Sequence, residues 1–171
     1  MEEKMDIHYH RFSLEEVDRV SEQITISYTS AYKGLMDSAY LNSITKHHWS
    51  PILQNSICNG DTCIIATYNK IIIGSSVFGT INTEEGKCAE WHAFYLLPQY
   101  VGRGIGHLFY QNIEKEMIKQ GCQSCVLEVL SSNKRAIRFY LSHGFEKIQT
   151  FVVEEYGMIL SCDKMIKKHS N

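Results

Sequence analysis

Three glycines, Gly102, Gly104 and Gly106, alternate with Arg103 and Ile105 in the stretch QYVGRGIGHLF, between an apolar run ending in Leu96 and Leu97 and a helical pattern. No other stretch constrains the chain as strongly. An extended segment must stop there, the backbone must turn with almost no side chain to hinder it, and a helix must begin with its first N–H groups open. The dipole of that helix favours negative charge, and the missing β-carbons let a phosphate approach the free donors, so the turn reads as a seat for an anion such as a pyrophosphate. The same glycines would also serve a tight turn that needs only their dihedral freedom. A P-loop requires Gly-Lys-Ser/Thr where this chain has Gly106-His107-Leu108, and a dinucleotide fingerprint counted from Gly102 would place its last glycine at His107.

The hydrophobic period changes along the chain in a definite order. MDIHYHRF alternates as a first strand, and Ser13 with Glu16 makes a capping box, with Phe12 and Val17 placed for a hydrophobic staple. Leu14, Val17, Val20, Ile24 and Tyr28 then define one helical face, which Gly34 interrupts; SAYLNSI continues as helix, and Ser50-Pro51 reads as an N-cap and N1 pair opening another turn or two. From Thr62, TCIIATY, KIIIGSSVFGTI and KCAEWHAFYLL read as three strands of an antiparallel meander, turned at Asn69-Lys70 and at Thr83 to Gly86. After the glycine turn, Ile105, Leu108, Phe109, Ile113 and Met117 mark a helix that Gly121 ends. SCVLEVL is a strand, Asn133 caps a helix that Gly144 closes, and FEKIQTFVV and YGMILSCDKM form a final antiparallel pair. The fold class is α/β: one domain over 1–171, a mixed and mostly antiparallel sheet flanked by helices, its two strands around Lys87 to Leu130 parallel because a helix connects them.

Composition limits the partners. The formal net charge of -2 and the lack of a basic block exclude a general nucleic-acid footprint, and the basic residues from Lys164 to Lys168 read as a solvated end. No apolar run reaches the roughly 18 to 20 residues that span a bilayer, and no secretory signal opens the chain, which gives a cytoplasmic expectation with no membrane partner. Among six cysteines, Cys122 and Cys125 form a lone CxxC without a second pair, so reduced, buried thiols are expected and no metal site. An exposed sheet edge offers a surface for a homodimer.

The stretch YLLPQYVGRGIG resembles the coenzyme A motif of the GCN5-related N-acetyltransferase (GNAT) superfamily, Gln/Arg-x-x-Gly-x-Gly/Ala after a strand ending in an aliphatic–Pro pair, with Val101 departing at one place. LEVLSSNKRAIRFYLSHGF resembles the family's next segment, SAYKGLMDSAYLNSI its N-terminal helical region, and the element order agrees over almost the whole chain. The resemblance implies acetyl-CoA as acetyl donor, held between two splayed parallel strands that end near Leu97 and Leu130. It implies pantetheine along the backbone of Phe94, Tyr95 and Leu96, pyrophosphate on the N–H groups from Gly102 through Arg103, Gly104, Ile105 and Gly106 to His107, and a pantetheine contact from Asn133 in addition to its capping role. Val101 enters the motif through its main chain, and its departure threatens at most the affinity. Arg103, Lys134 and Arg135 are available either to the cofactor phosphates or to solvent.

Moving an acetyl group from a thioester to an amine requires a neutral amine, stabilisation of the carbonyl oxygen, near-attack geometry and a proton for the departing thiolate. Tyr140, two helical turns after Asn133 and so on the same side of that helix, matches the family tyrosine thought to give that proton; its plainer reading is a core aromatic beside Phe139. Glu128 interrupts the apolar strand VLEVL and must be paired, hydrated or functional. It matches a base position of some members. Glu90 and His92 are its rivals and, on strict alternation, share a side of the strand with Phe94 and Leu96; the plainer reading of His92 is a packed or surface histidine. A strand N–H near Leu96 is the expected oxyanion donor. The acceptor, a small-molecule or peptide amine, would lie among Tyr28, Tyr32, Trp49, Trp91 and Tyr156, all of which also read as core. The alternative to an enzyme is a non-catalytic coenzyme A-binding regulator of the same fold.

Overall fold

The computed structural model describes residues 5–170. Seven strands form one sheet in the order β1-β2-β3-β4-β5-β7-β6, with β1 His8–Arg11, β2 Thr62–Tyr68, β3 Ile71–Thr83, β4 Gly86–Leu96, β5 Ser124–Leu130, β6 Glu146–Glu155 and β7 Met158–Lys168. Every neighbouring pair is antiparallel except β4 and β5. The helices are α1 Val17–Tyr32, α2 Ser38–Ser43, α3 Ser50–Cys58, α4 Ile105–Lys119 and α5 Lys134–Ser142. The fold class read from the sequence is the observed one.

Each face of the sheet carries its own core. On one side Ile73, Phe78, Ala89, Trp91, Leu127, Val129 and Met165 meet Ile105, Phe109, Ile113 and Met117 of α4, with α5 packed beside them. On the other, Cys63, Ile65, Ile72 and Val77 meet Val20, Ile24, Tyr28 and Leu53 of α1 and α3. Each of the Val, Leu, Ile, Phe and Met side chains among these contributes roughly 1.5–3 kcal/mol on leaving water, before entropy is subtracted, so the sheet is clamped from both sides.

Local signals set the element ends. The capping box closes as expected: the Ser13 N–H donates to Glu16 Oε2 at 3.1 Å, and Phe12 and Val17 are both buried. Asn69 and Lys70 both take positive φ in the two-residue β2–β3 turn, the geometry that matches strand twist. Helix α5 ends in a Schellman motif: the Phe145 N–H bonds to Tyr140 O at 3.1 Å and the Gly144 N–H to Leu141 O at 3.1 Å, with Gly144 at φ 89°. Gly121 ends α4 in the same way.

Several expectations are corrected. The first strand is confined to His8–Arg11. Leu14 and Leu108 are exposed, because each lies just outside the stripe its helix turns toward the sheet. Trp49, not Ser50, is the N-cap of α3; Ser50 is the first helical residue and spends its hydroxyl on Asp18 Oδ1 at 2.7 Å. Lys164 to Lys168 belong to β7 and are no loose end. Cys63, Cys88, Cys122 and Cys125 are buried free thiols, and burial pushes Cys63 up to about 11, but Cys58 is exposed and Cys162 half-exposed. Among the described residues no group of three or more His, Cys, Asp or Glu is placed to hold a metal ion, and no helix is long and apolar enough to cross a membrane.

Candidate active site

The site begins with an extra residue in β4. Phe78 pairs with Trp91 but Val77 pairs with Ala93, so His92 is a β-bulge. A bulge bends its strand and sharpens the twist. The parallel ladder between β4 and β5 accordingly covers only Cys88–Trp91 against Ser124–Leu127, although β4 runs on to Leu96 and β5 to Leu130. Past the bulge the two strands have no partner in each other, and a cavity of about 870 Å³ opens there.

The bulge also corrects the facing of side chains. Glu90 does share a side with His92, but Phe94 and Leu96 pack with the opposite core, against α4 and α5, while Ala93 and Tyr95 pack toward α1. Simple alternation fails because His92 and Ala93 both lie on the α1 side. Glu90 is half-buried and does not line the cavity; His92 does.

The backbone of β4 presents its free groups to this opening. The Leu97 N–H bonds to Ile73 O at 2.8 Å, across to β3. Main-chain groups alternate in direction along a strand, so the N–H and C=O of Leu96 and of Phe94 turn to the other edge, into the gap left by β5. An extended amide-bearing chain would find there the ladder partner that β5 withdraws.

At one end of the cavity the glycine turn divides its labour. Gly102 and Gly104 adopt φ 76° and 77°, the left-handed region, and a β-carbon at either would meet nothing within 4 Å. Gly104 is the N-cap of α4. Gly106 is helical, and a β-carbon there would make ordinary van der Waals contact with Leu96 Cδ1 at 3.4 Å and Phe139 Cε2 at 3.5 Å. Two glycines therefore shape the turn, and the third sits where α4 packs beside β4 and α5. Val101, Gly102, Gly104, Gly106 and His107 line the cavity; Arg103 is exposed outside the lining and Ile105 is buried in the core.

Asn133 and Tyr140 stand on α5 across the opening, and both line it. Asn133 Oδ1 accepts from the Ala136 N–H at 3.2 Å, so the capping role is realised. Tyr140 is held by Trp91 and Phe145, each with a ring centroid 5.7 Å away, and burial pushes its hydroxyl above the ordinary phenol value, with Tyr32 and Cys125 adding to the rise. The Tyr32 hydroxyl faces Tyr95 and the Asn133 side chain. Lys134 and Arg135 line the same wall, but Lys134 Nζ donates to Ser131 O at 2.7 Å.

Beyond Tyr140 the cavity reaches the α1 side of β5. Glu128 is exposed and lines it, so the carboxylate in the apolar strand is hydrated and needs no buried partner. Burial raises the Cys162 thiol, and the charges of Glu128, Glu155 and Asp163 raise it further, which places three carboxylates around that half-exposed sulfur. Tyr156, at the β6–β7 tip, stacks on Tyr40 with centroids 4.5 Å apart, while Tyr28 and Trp49 are packed together on the α1 side and Trp91 in the α4 core. Of the five suggested wall aromatics, Tyr32 and Trp91 line the main cavity. His143 also lines it, although the sequence reading passed over it; only the meeting of α4 and α5 brings it beside His107.

Comparison with known proteins agrees with this arrangement. Residues 28–145 match the Acetyltransferase (GNAT) family. The chain is similar to a spermidine N(1)-acetyltransferase of Thermoplasma acidophilum, 26% identical over 157 residues that cover 88% of this chain and 98% of that protein. It is also similar to the thialysine N-epsilon-acetyltransferase of Mus musculus, 30% identical over 79 residues, 46% of each chain. Among solved structures, the PaiA N-acetyltransferase from Thermoplasma acidophilum in complex with coenzyme A superposes with a TM-score of 0.77 at 26% identity, covering 96% of this chain and 100% of that one. With the family matched over more than half its length and the strand-splayed cleft in place, this chain belongs to the acetyltransferase (GNAT) family and is an N-acetyltransferase with acetyl-CoA as its donor.

Proposed function

We propose that acetyl-CoA lies in the cleft between β4 and β5 and that the primary amine of a polyamine attacks its thioester directly. The observation that carries this reading is the run of free main-chain groups from the open N-terminus of α4 along Phe94 and Leu96, ending beside Tyr140. The pyrophosphate takes the N–H groups from Gly102 to His107. The pantetheine amides pair with Phe94 and Leu96 while Tyr95 turns its side chain toward α1, and Asn133 borders the arm. The Leu96 N–H faces the developing oxyanion.

Tyr140 gives its proton to the departing thiolate. Its raised pKa keeps the phenol protonated until charge develops on sulfur, and its packing against Trp91 and Phe145 fixes its direction. Glu128 takes a proton from the bound ammonium through water, leaving the neutral amine that attacks, since it is the carboxylate of the pair that reaches the cavity. Glu90, which lines no part of it, supports the strand instead. Glu128 and Glu155 around Cys162 make the acceptor end anionic, which suits a substrate carrying a second ammonium. Similarity to the spermidine N(1)-acetyltransferase of Thermoplasma acidophilum supports the same acceptor class. We place the enzyme in the cytoplasm, where both reactants and a reducing medium for its thiols are found.

The test is release of free thiol from acetyl-CoA in the presence of spermidine, with the Tyr140→Phe variant beside the unaltered protein. The proposal expects turnover that depends on amine and is nearly lost in the variant. Turnover unchanged by the substitution would remove Tyr140 from the reaction.

A further inference from the structure

His107 and His143 form a stacked pair at the phosphate end of the cavity. Their ring centroids are 4.9 Å apart with planes 13° from parallel, and His107 Nδ1 lies 3.4 Å from His143 Nε2. Both line the cavity. His107 is the third residue of α4, so its imidazole stands beside the open N–H groups of that helix; Gln111 Nε2 is 2.9 Å from His107 Nε2. His143 is the C-cap of α5 and lies over the Tyr110 ring at 4.3 Å, with Phe139 at 4.4 Å.

We propose that this pair is a proton-linked phosphate clamp: it takes up further proton as the donor's pyrophosphate settles against it. The inference rests on acetyl-CoA as the donor, as above. Two imidazoles this close cannot both be charged without mutual repulsion, whereas one imidazolium shared between them is a compact cation beside a dianionic diphosphate.

The surroundings set the empty state. Burial lowers His143 below the ordinary imidazole value, and the neighbouring His107 and the Lys167 ammonium on β7 lower it further. Glu114 on α4 opposes them, as does the C-terminal end of the α5 dipole. Glu114 is largely spent on other partners: it accepts from Tyr110 Oη at 2.7 Å, is ion-paired with Lys167, and has His169 Nε2 at 3.8 Å. The pair therefore faces a phosphate site with little standing countercharge of its own. An arriving diphosphate raises its proton affinity, and by linkage its own affinity rises as the pH falls through the pair's bound-state pKa, levelling below the unbound value.

Dephospho-coenzyme A tests this, because it keeps the pyrophosphate and lacks the phosphomonoester that would itself titrate near neutrality. Its heat of binding is measured at about pH 6.5 in two buffers of different ionisation heat, giving the protons exchanged. The unaltered protein is expected to take up a proton fraction, and to bind roughly fivefold more tightly at low pH than at alkaline pH, in keeping with a shift of somewhat under one pKa unit. The double variant His107→Gln, His143→Gln should show neither effect, and His143→Phe, which keeps a ring against Tyr110, should lose most of the uptake while melting like the parent. Equal proton uptake in parent and double variant would reduce the pair to a helix–helix contact and leave the donor reading intact. Failure of the unaltered protein to bind coenzyme A in any buffer would overturn both.

Discussion

Tyr140 is packed as a core aromatic against Trp91 and Phe145 and also lines the cavity, so its core reading is compatible with the proposed acid role. Tyr140→Phe keeps the packing and removes the proton; we expect kcat to fall about 10²-fold with coenzyme A affinity unchanged, read by stopped-time thiol assays and by calorimetry. Asn133 likewise combines a cap with a place in the cavity wall. Asn133→Ala should cost about 0.5–2 kcal/mol of stability, measured by urea denaturation, and should weaken donor binding as well. These two residues were legible in the sequence because the helix that carries them is short, capped and closed by glycine. His143 was not, since nothing in the sequence says that the end of α5 meets the start of α4. Glu128 was legible as an anomaly, though its hydration became clear only when the strand proved to border an opening.

At the scale of elements, the decisive one is β4. Its three-strand meander, its turn and the following helix were all readable from period and glycine placement. Its bulge at His92 was not, because a single inserted residue leaves the apolar pattern almost intact while reversing which side chains face which core. Deleting His92 removes the extra residue, lets β4 straighten beside β5 and carries their pairing past Trp91. The expected result is a folded protein, by far-ultraviolet circular dichroism, whose coenzyme A affinity drops more than tenfold; retained affinity would show that the bulge does not open the cleft. The glycine turn offers a second test at this scale. Gly104→Ala places a β-carbon in the left-handed region with no clash to meet, so the strain alone of about 1–2 kcal/mol should appear in its melting curve.

The molecule as a whole is two cores on one sheet, and the cleft exists where the sheet is interrupted between them. Order, class and connectivity were available from the sequence, since each element carries its own start and stop. The grouping of carboxylates around Cys162 was not, because it depends on β7 lying between β5 and β6. The whole is also tied by carboxylates linking distant elements. Burial works to raise Glu114, but Lys167 and Tyr110 hold it below its ordinary value; burial works likewise on Asp163, which Thr150 and Ser131 hold down through hydrogen bonds of 2.8 Å each. A depressed carboxylate contributes stability above its unfolded pKa, about 4.3 for Glu and 3.9 for Asp, and loses it as the pH falls through the folded value. Urea midpoints should therefore be flat from neutrality to about pH 5 and fall below about pH 4, and Lys167→Met, which removes the main pull that keeps Glu114 low, should lower the midpoint at neutral pH and make the acid fall shallower.

The central claim is that the donor lies in this cleft and hands its acetyl group straight to an amine. A single-turnover experiment, with protein in excess over acetyl-CoA and spermidine present, follows free thiol by absorbance and the acetyl group by mass spectrometry. The account predicts one phase in which thiol and N-acetylated spermidine appear together and the protein mass never changes. A burst of thiol that precedes the acetylated amine, with the acetyl group found on the protein, would contradict it.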